Sequence, residues 1–346
     1  MVAEPSVALP RVPREVDPRI AALPKVELHV HLDCCLSFSA VSRLLPGMTL
    51  SRYRREFVAP SKCRDLGAFL RSIDHSLALL QGEAGLRLAV ADLFDQFARD
   101  RVVYAEIRFA PLLHLAGGLS PDQVMATVVD ETERQVAETG IEARWILCTL
   151  RHFSEEQGLL TARLAERFRD RGVVALDLAA DEARFPLAPH QAAFRTAREL
   201  GLGLTAHAGE ALGPASVRDT LRLLGPRRLG HGVRSAEGPE LVERLRREGI
   251  HLEICPSCNV QTGIYPALTD HPVDRLFRAG VSLGINTDAR TVTGTTLGEE
   301  YMRLHEAFGW GLDHFRAVNR SALSAAFLPE ADRLRLGRLL AGEPLD

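Results

Sequence analysis

Eight short apolar or β-branched runs alternate with longer amphipathic stretches along this chain, and no other feature restricts its architecture as much. The runs are Lys25–Val30, Val102–Phe109, Arg144–Leu150, Val173–Leu178, Gly203–Ala206, Arg228–Gly230, His251–Cys255 and Val281–Thr287. Between them, Ser120–Thr139, Glu155–Arg171, His190–Leu200, Ala215–Leu224, Glu237–Arg247 and Val273–Ala279 carry helical periodicity. Strands that alternate with helices imply a parallel sheet. Eight of them predict an α/β chain closed into a (β/α)8 TIM barrel rather than an open doubly wound sheet. The interval Ser37–Ala98 is too long for one helix and predicts several extra helices over the barrel top, after the first strand. Leu297–Leu340 predicts two or three more at the C-terminus. With no internal repeat, low-complexity tract or linker, residues 1–346 are expected to form a single domain, residues 1–20 being a loosely packed N-terminal segment.

The chain is long enough to bury a large core without disulfides or metal staples. Its net charge of −3 gives no basis for a nucleic-acid or membrane partner. The first 20 residues lack the apolar core of a secretory signal, and no run has the length of a membrane span. Six irregularly spaced cysteines do not form a secreted disulfide pattern. A soluble cytoplasmic protein with reduced thiols is expected. Cys255-Pro256-Ser257-Cys258 has no second pair or histidine partner at metal spacing and is read as structural or pocket-lining.

Polar chemistry collects where the predicted strands end. The first closes on His29-Val30-His31-Leu32-Asp33, where alternation along a strand puts His29, His31 and Asp33 on one face. The fifth is followed by His207-Ala208-Gly209-Glu210, the sixth by His231, and the eighth runs into Asp288-Ala289-Arg290. Each alone could be a satisfied core histidine, a helix cap or a solvated carboxylate. Together they fall at the carboxyl ends of barrel strands, where catalytic groups of such barrels sit. Three imidazoles and a carboxylate make a zinc shell with room for a solvent molecule, whose pKa a zinc ion lowers to near 7. His231 is then left to orient or deprotonate that water, and Glu210 to donate or shuttle a proton. The fourth strand offers no lysine that could be carboxylated to bridge two metals, so a single ion is expected.

Leu23–Asp33 (LPKVELHVHLD), Thr205–Glu210 (TAHAGE), Leu229–Arg234 (LGHGVR) and Leu283–Asp288 (LGINTD) resemble the signature segments of the adenosine deaminase family, in the family's order. Tyr104–Pro111 and Leu176–Glu182 add to the resemblance, which runs from about Leu23 to Tyr301. It implies one Zn2+ held by His29, His31, His207 and Asp288. It implies Glu210 protonating purine N1, His231 holding and activating the water, Asp33 accepting a hydrogen bond from a sugar hydroxyl, and the Ala180 N–H meeting purine N3. The implied reaction is adenosine, or 2′-deoxyadenosine, and water to inosine, or 2′-deoxyinosine, and ammonia. The implied partners are thus a small purine nucleoside and water. Three positions depart from the family pattern. Ala289 stands where a second Asp usually helps hold N7, Cys34-Cys35 where a Gly and a small residue are common, and Ala180 where Gly is usual. These departures keep other substrates open, among them 6-aminodeoxyfutalosine and free adenine. A non-catalytic purine-binding barrel is the reading of a different class.

Overall fold

The computed structural model describes residues 17–342. The strands are β1 (Lys25–His31), β2 (Val102–Phe109), β3 (Glu142–Leu150), β4 (Val173–Ala179), β5 (Gly203–Ala208), β6 (Arg228–His231), β7 (His251–Ile254) and β8 (Leu283–Ile285). They pair in chain order, every neighbour parallel, so the (β/α)8 TIM barrel is confirmed. Parallel strands need long crossovers, and helices such as Pro121–Thr139 and Glu155–Arg167 supply them. Each of these two is started by a capping box, at Ser120 with Gln123 and at Ser154 with Gln157. Outward-facing Ala105, Ile107 and Phe109 of β2 pack with Val124 and Val128 of the next helix in the main core.

The ring closes through a seam in which side chains replace ladder bonds. The predicted eighth strand, Val281–Thr287, is shorter in the structure, and beyond its end Asn286 keeps its N–H on the Ile254 carbonyl of β7 while its side chain turns to β1. Its Oδ1 accepts from the Leu28 N–H at 2.7 Å and the His29 N–H at 3.1 Å. Beyond it, the His31 N–H donates to the Asp288 carbonyl at 2.8 Å and the Asp288 N–H to the His29 carbonyl at 3.0 Å. The β1–β2 register also slips, Glu27 lying opposite Ala105 and Val30 opposite Ile107, one extra residue on β1. Below this bulge Val26 and Leu28 pack with Tyr104, Leu323 and Leu336. Above it, His29 and His31 both turn to the upper ring. The strand ends at His31, so simple alternation does not reach Asp33, which sits in the 3-10 turn Leu32–Cys34.

The extra helices fall where expected. Phe38–Leu44, Leu50–Phe57 and Leu66–Leu70 follow β1, capped by the side chains of Ser37, Thr49 and Asp65, and Asp74–Leu79 comes next. Leu297–Phe308, Leu312–Ala325 and Glu330–Ala341 end the described chain. The last two close the barrel floor, where Asn319 accepts from the Val26 N–H at 2.8 Å and the Phe327 N–H donates to Glu106 at 2.7 Å. Residues 1–16 of the expected loose segment lie outside the described residues. Of residues 17–20, Asp17 caps the helix Pro18–Ala21, in which Ile20 is buried in the core. Among the described residues no helix is long and apolar enough to cross a membrane.

Asn286→Ala leaves two buried N–H groups of β1 without an acceptor. The expected loss of unfolding free energy is about 2–4 kcal/mol, read from urea denaturation; an unchanged midpoint would mean that the seam is held by other contacts.

Candidate active site

Strand ends bring together the residues that the sequence had marked separately. His29 Nε2 lies 3.3 Å and His31 Nε2 3.4 Å from Asp288 Oδ1, and His31 Nε2 lies 3.4 Å from His207 Nε2. One ligand atom from each of His29, His31, His207 and Asp288 lies within 4.8 Å of all the others. The spacing between rings depends on Gly230 of β6, where a Cβ would stand 2.9 Å from His29 Cε1 and 3.1 Å from His207 Cγ.

Beneath these rings lies a buried ionic layer. His29 Nδ1 meets Glu253 Oε2 at 2.8 Å, and His207 Nδ1 meets Asp177 Oδ2 at 3.1 Å. Arg108 donates to both carboxylates, at 2.6 Å to Glu253 and 2.9 Å to Asp177. Arg228 joins Glu253 at 2.7 Å and Glu106 at 2.5 Å. An ionised carboxylate only accepts, so Nδ1 of His29 and of His207 carries the hydrogen and Nε2 presents a lone pair. His29 Nε2 is buried with no hydrogen-bond partner. Burial opposes ionisation of Asp288, but the imidazoles of His29, His231 and His31 around it hold its carboxyl well below the ordinary value. Two guanidinium charges face Glu106, Asp177 and Glu253, and with Asp288 among the histidines this leaves two negative charges at a converging set of nitrogen lone pairs. That donor set and that charge fit one divalent cation, with the carboxylates behind the histidines fixing their tautomers. Cys255 belongs to an alternative grouping with His29, His231 and Asp288. Burial pushes its thiol well above the ordinary range, so it is the poorer ligand.

Glu210 and His231 face each other beside this cluster, with 3.6 Å between Oε2 and Nε2. Burial, then the charges of Asp288 and Glu182, push the Glu210 carboxyl well above its ordinary value. Burial and the neighbouring imidazoles push His231 well below its own. A carboxyl kept protonated beside a neutral imidazole is a pair suited to proton donation and to hydrogen bonding of a nucleophile. Glu182 fixes the loop that carries Glu210. Its carboxylate accepts the N–H groups of Gly209, Glu210, Ala211 and Leu212 at 2.8–3.0 Å and the Ser216 hydroxyl at 2.5 Å.

Three of the four non-glycine residues with positive φ among the described residues are ones the sequence marks as candidate site residues, namely Ala180 (77°), His231 (59°) and Asp288 (64°). Such backbone costs about 1–2 kcal/mol per residue and is held by surrounding structure. Asp33 is buried, with Oδ2 3.8 Å from His114 Nε2 and Oδ1 3.5 Å from the Cys34 thiol. Ala289 is buried in an apolar cluster with Cys34, Cys63, Leu66, Phe69, Cys255, Cys258 and Val292. All six cysteines are free and buried. Sequence reading passed over Arg108, Asp177, Glu182, Arg228, Glu253, Asn259 and His271. A signal existed for several of them: charged residues inside otherwise apolar strands have nowhere to point except a polar barrel interior.

A sequence model of a family described as adenosine deaminase matches residues 24–341. The adenosine deaminase of Lacticaseibacillus casei (strain BL23) is 37% identical over 321 residues, 91% of this chain and 94% of that protein. The structure resembles the N6-methyl-AMP deaminase of Arabidopsis thaliana with a TM-score of 0.82 at 25% identity, covering 93% of this chain and 97% of that one. An adenine deaminase from Arthrobacter aurescens shares the fold with a TM-score of 0.84 at 23% identity, over 93% of this chain and 99% of that one.

Two outcomes are expected from this geometry. Glu182→Gln places an amide donor among N–H donors, so the amides of Gly209–Leu212 should exchange with deuterium on the order of tenfold faster or more; unchanged protection would mean that the loop is held without the carboxylate. Ala180→Gly relieves positive φ while keeping the N–H, and should raise unfolding free energy by up to about 1 kcal/mol in thermal melts.

Proposed function

The chain belongs to the adenosine deaminase family, and from that premise we propose that it converts adenosine and 2′-deoxyadenosine, with water, into inosine and 2′-deoxyinosine with release of ammonia. Hydrolytic deamination of an adenine derivative is the activity of this enzyme class. The observation that carries the reading is the opposed pair of buried side chains, Glu210 and His231, 3.6 Å apart beside the three-histidine, one-aspartate cluster.

His29, His31, His207 and Asp288 would hold one zinc ion. When bound, zinc supplies Lewis acidity that brings the pKa of water to near 7. Glu210 donates its proton to ring N1, which draws electron density from C6. His231 holds the water against that carbon. Water oxygen bonds to C6, the C6–N6 bond breaks, and of the water's two protons one restores the Glu210 carboxyl and the other goes to the amino group, which leaves as ammonia. Asp33 accepts the hydrogen bond of a sugar hydroxyl, and the Ala180 N–H donates to N3. Closure of the barrel around these groups keeps them dry, which makes each hydrogen bond more discriminating. The free, buried thiols support a reducing compartment, and a cytoplasmic location is proposed with it.

Ala289 favours a second reading of the substrate. It places a methyl group, within an apolar thiol-rich cluster, where a polar side chain could have bound the base. Deamination of another adenine derivative, such as 6-aminodeoxyfutalosine or free adenine, uses the same groups.

Ammonia release from zinc-loaded protein offered adenosine, 2′-deoxyadenosine, adenine and 6-aminodeoxyfutalosine separates these readings. Adenosine and 2′-deoxyadenosine should turn over efficiently, and Glu210→Gln should lower kcat by on the order of 10²–10⁴. Turnover of another member of the panel alone would keep the chemistry and move the substrate. Full turnover by Glu210→Gln would remove the proton donor from the scheme.

A further inference from the structure

His231 makes a hydrogen bond on the side away from Glu210, and the chain of groups behind it decides where its proton sits. Helix Val273–Arg278 begins with an N–H that no helical carbonyl can accept. The Val273 N–H donates instead to His271 Nδ1, at 3.2 Å. A backbone N–H is always a donor, so this ring nitrogen is an acceptor. His271 is buried, and burial pushes its pKa down to about 3, so its one proton is on Nε2. His271 Nε2 lies 3.1 Å from Asn259 Oδ1, which accepts that proton's hydrogen bond. The carboxamide of Asn259, at 0% exposure, is thereby fixed in orientation. Its Nδ2 faces His231 Nδ1 at 3.0 Å and can only donate. With Nδ1 an acceptor, the His231 ring carries its hydrogen on Nε2, the nitrogen turned toward Glu210 and the histidine–aspartate cluster.

We propose that Asn259 and His271 are positioning residues that hold His231 in its Nε2–H tautomer, so that His231 meets the attacking water's oxygen as a hydrogen-bond donor. This rests on the assignment of His231 to the water and sharpens it: the ring orients that oxygen and stabilises charge growing on it, and does not take its proton. Asn259 comes from the short helix Pro256–Gln261 after β7, and His271 from the turn before the next helix. The tautomer is thus set by the fold around the β7 end, not by the metal site.

The test combines nitrogen-15 NMR of histidine-labelled, zinc-loaded protein with steady-state kinetics on adenosine. In the unsubstituted protein the His231 Nε2 signal should be that of a protonated nitrogen and the Nδ1 signal that of a bare one. Asn259→Asp puts an acceptor where the donor stood, while His271 keeps a partner. It should move the proton to Nδ1 and lower kcat by on the order of 10²-fold or more, with KM little changed, as wrong-tautomer histidines do. His271→Phe frees the Asn259 amide to flip and should give a smaller loss in kcat with both tautomers visible. A bare Nε2 in the unsubstituted protein overturns the proposal, and that measurement needs no variant to fold. So does Asn259→Asp with undiminished kcat while His231→Ala is inactive. An active His231→Ala would instead overturn the role of His231 itself, and the proposal with it.

Discussion

The ion layer in the barrel interior, centred on Arg108 between Asp177 and Glu253, is the interaction on which the rest of the site depends. Burying a single ion costs several kcal/mol even after relaxation, so the layer persists only because each charge is met by an opposite one at hydrogen-bond distance. Its arrangement does more than neutralise. Glu253 and Asp177 each spend one carboxylate oxygen on Arg108 and reach an imidazole Nδ1 as well. The two histidines then have one possible tautomer and one aim. Arg228 ties the same layer to the floor, where its guanidinium lies 4.2 Å from the Phe327 ring centre. The histidine–aspartate cluster, barrel interior and C-terminal helices are therefore one connected unit.

Above this layer, hydrogen-bond direction carries the functional logic. Glu182 gathers four successive N–H groups and so sets the path of the Glu210 loop. Gly209 starts that path with φ of 69°, and a Cβ there would lie 2.6 Å from Val217 Cγ2. Asn259 and His271 set the direction of His231 by the same means. Glu210 and His231 reach opposite protonation tendencies although both are buried, because burial disfavours the charged form of each. Burial is the leading cause at both, with Asp288 and Glu182 adding to it at Glu210 and the neighbouring imidazoles at His231.

Much of this was legible in the chain. The alternation of runs gave the barrel, because parallel pairing requires helical crossovers and eight units close a ring. The clusters at His29, His207, His231 and Asp288 were visible because apolar strands ended in polar residues, where a barrel exposes its working face. The seam was not legible, since the turn of the Asn286 side chain onto β1 and the extra residue in β1 have no local signature. Asp33 was assigned to a strand face by alternation, but a 3-10 turn ended the strand first. Glu182, Asn259 and His271 lie in turns and short helices, where composition carries no sign of their partners dozens of residues away.

By itself, then, the sequence determined the order of strands and helices, the chemical types available at the strand ends and, through its motif segments, membership of a family. These depend on local periodicity and on residue identity, which a linear chain states directly. Tertiary structure alone decided which nitrogen of each histidine points inward, which carboxylate stays ionised and which stays protonated, and which backbone positions bear positive φ. Those depend on distances between segments far apart in the chain and on the exclusion of water, and neither exists until the ring has closed.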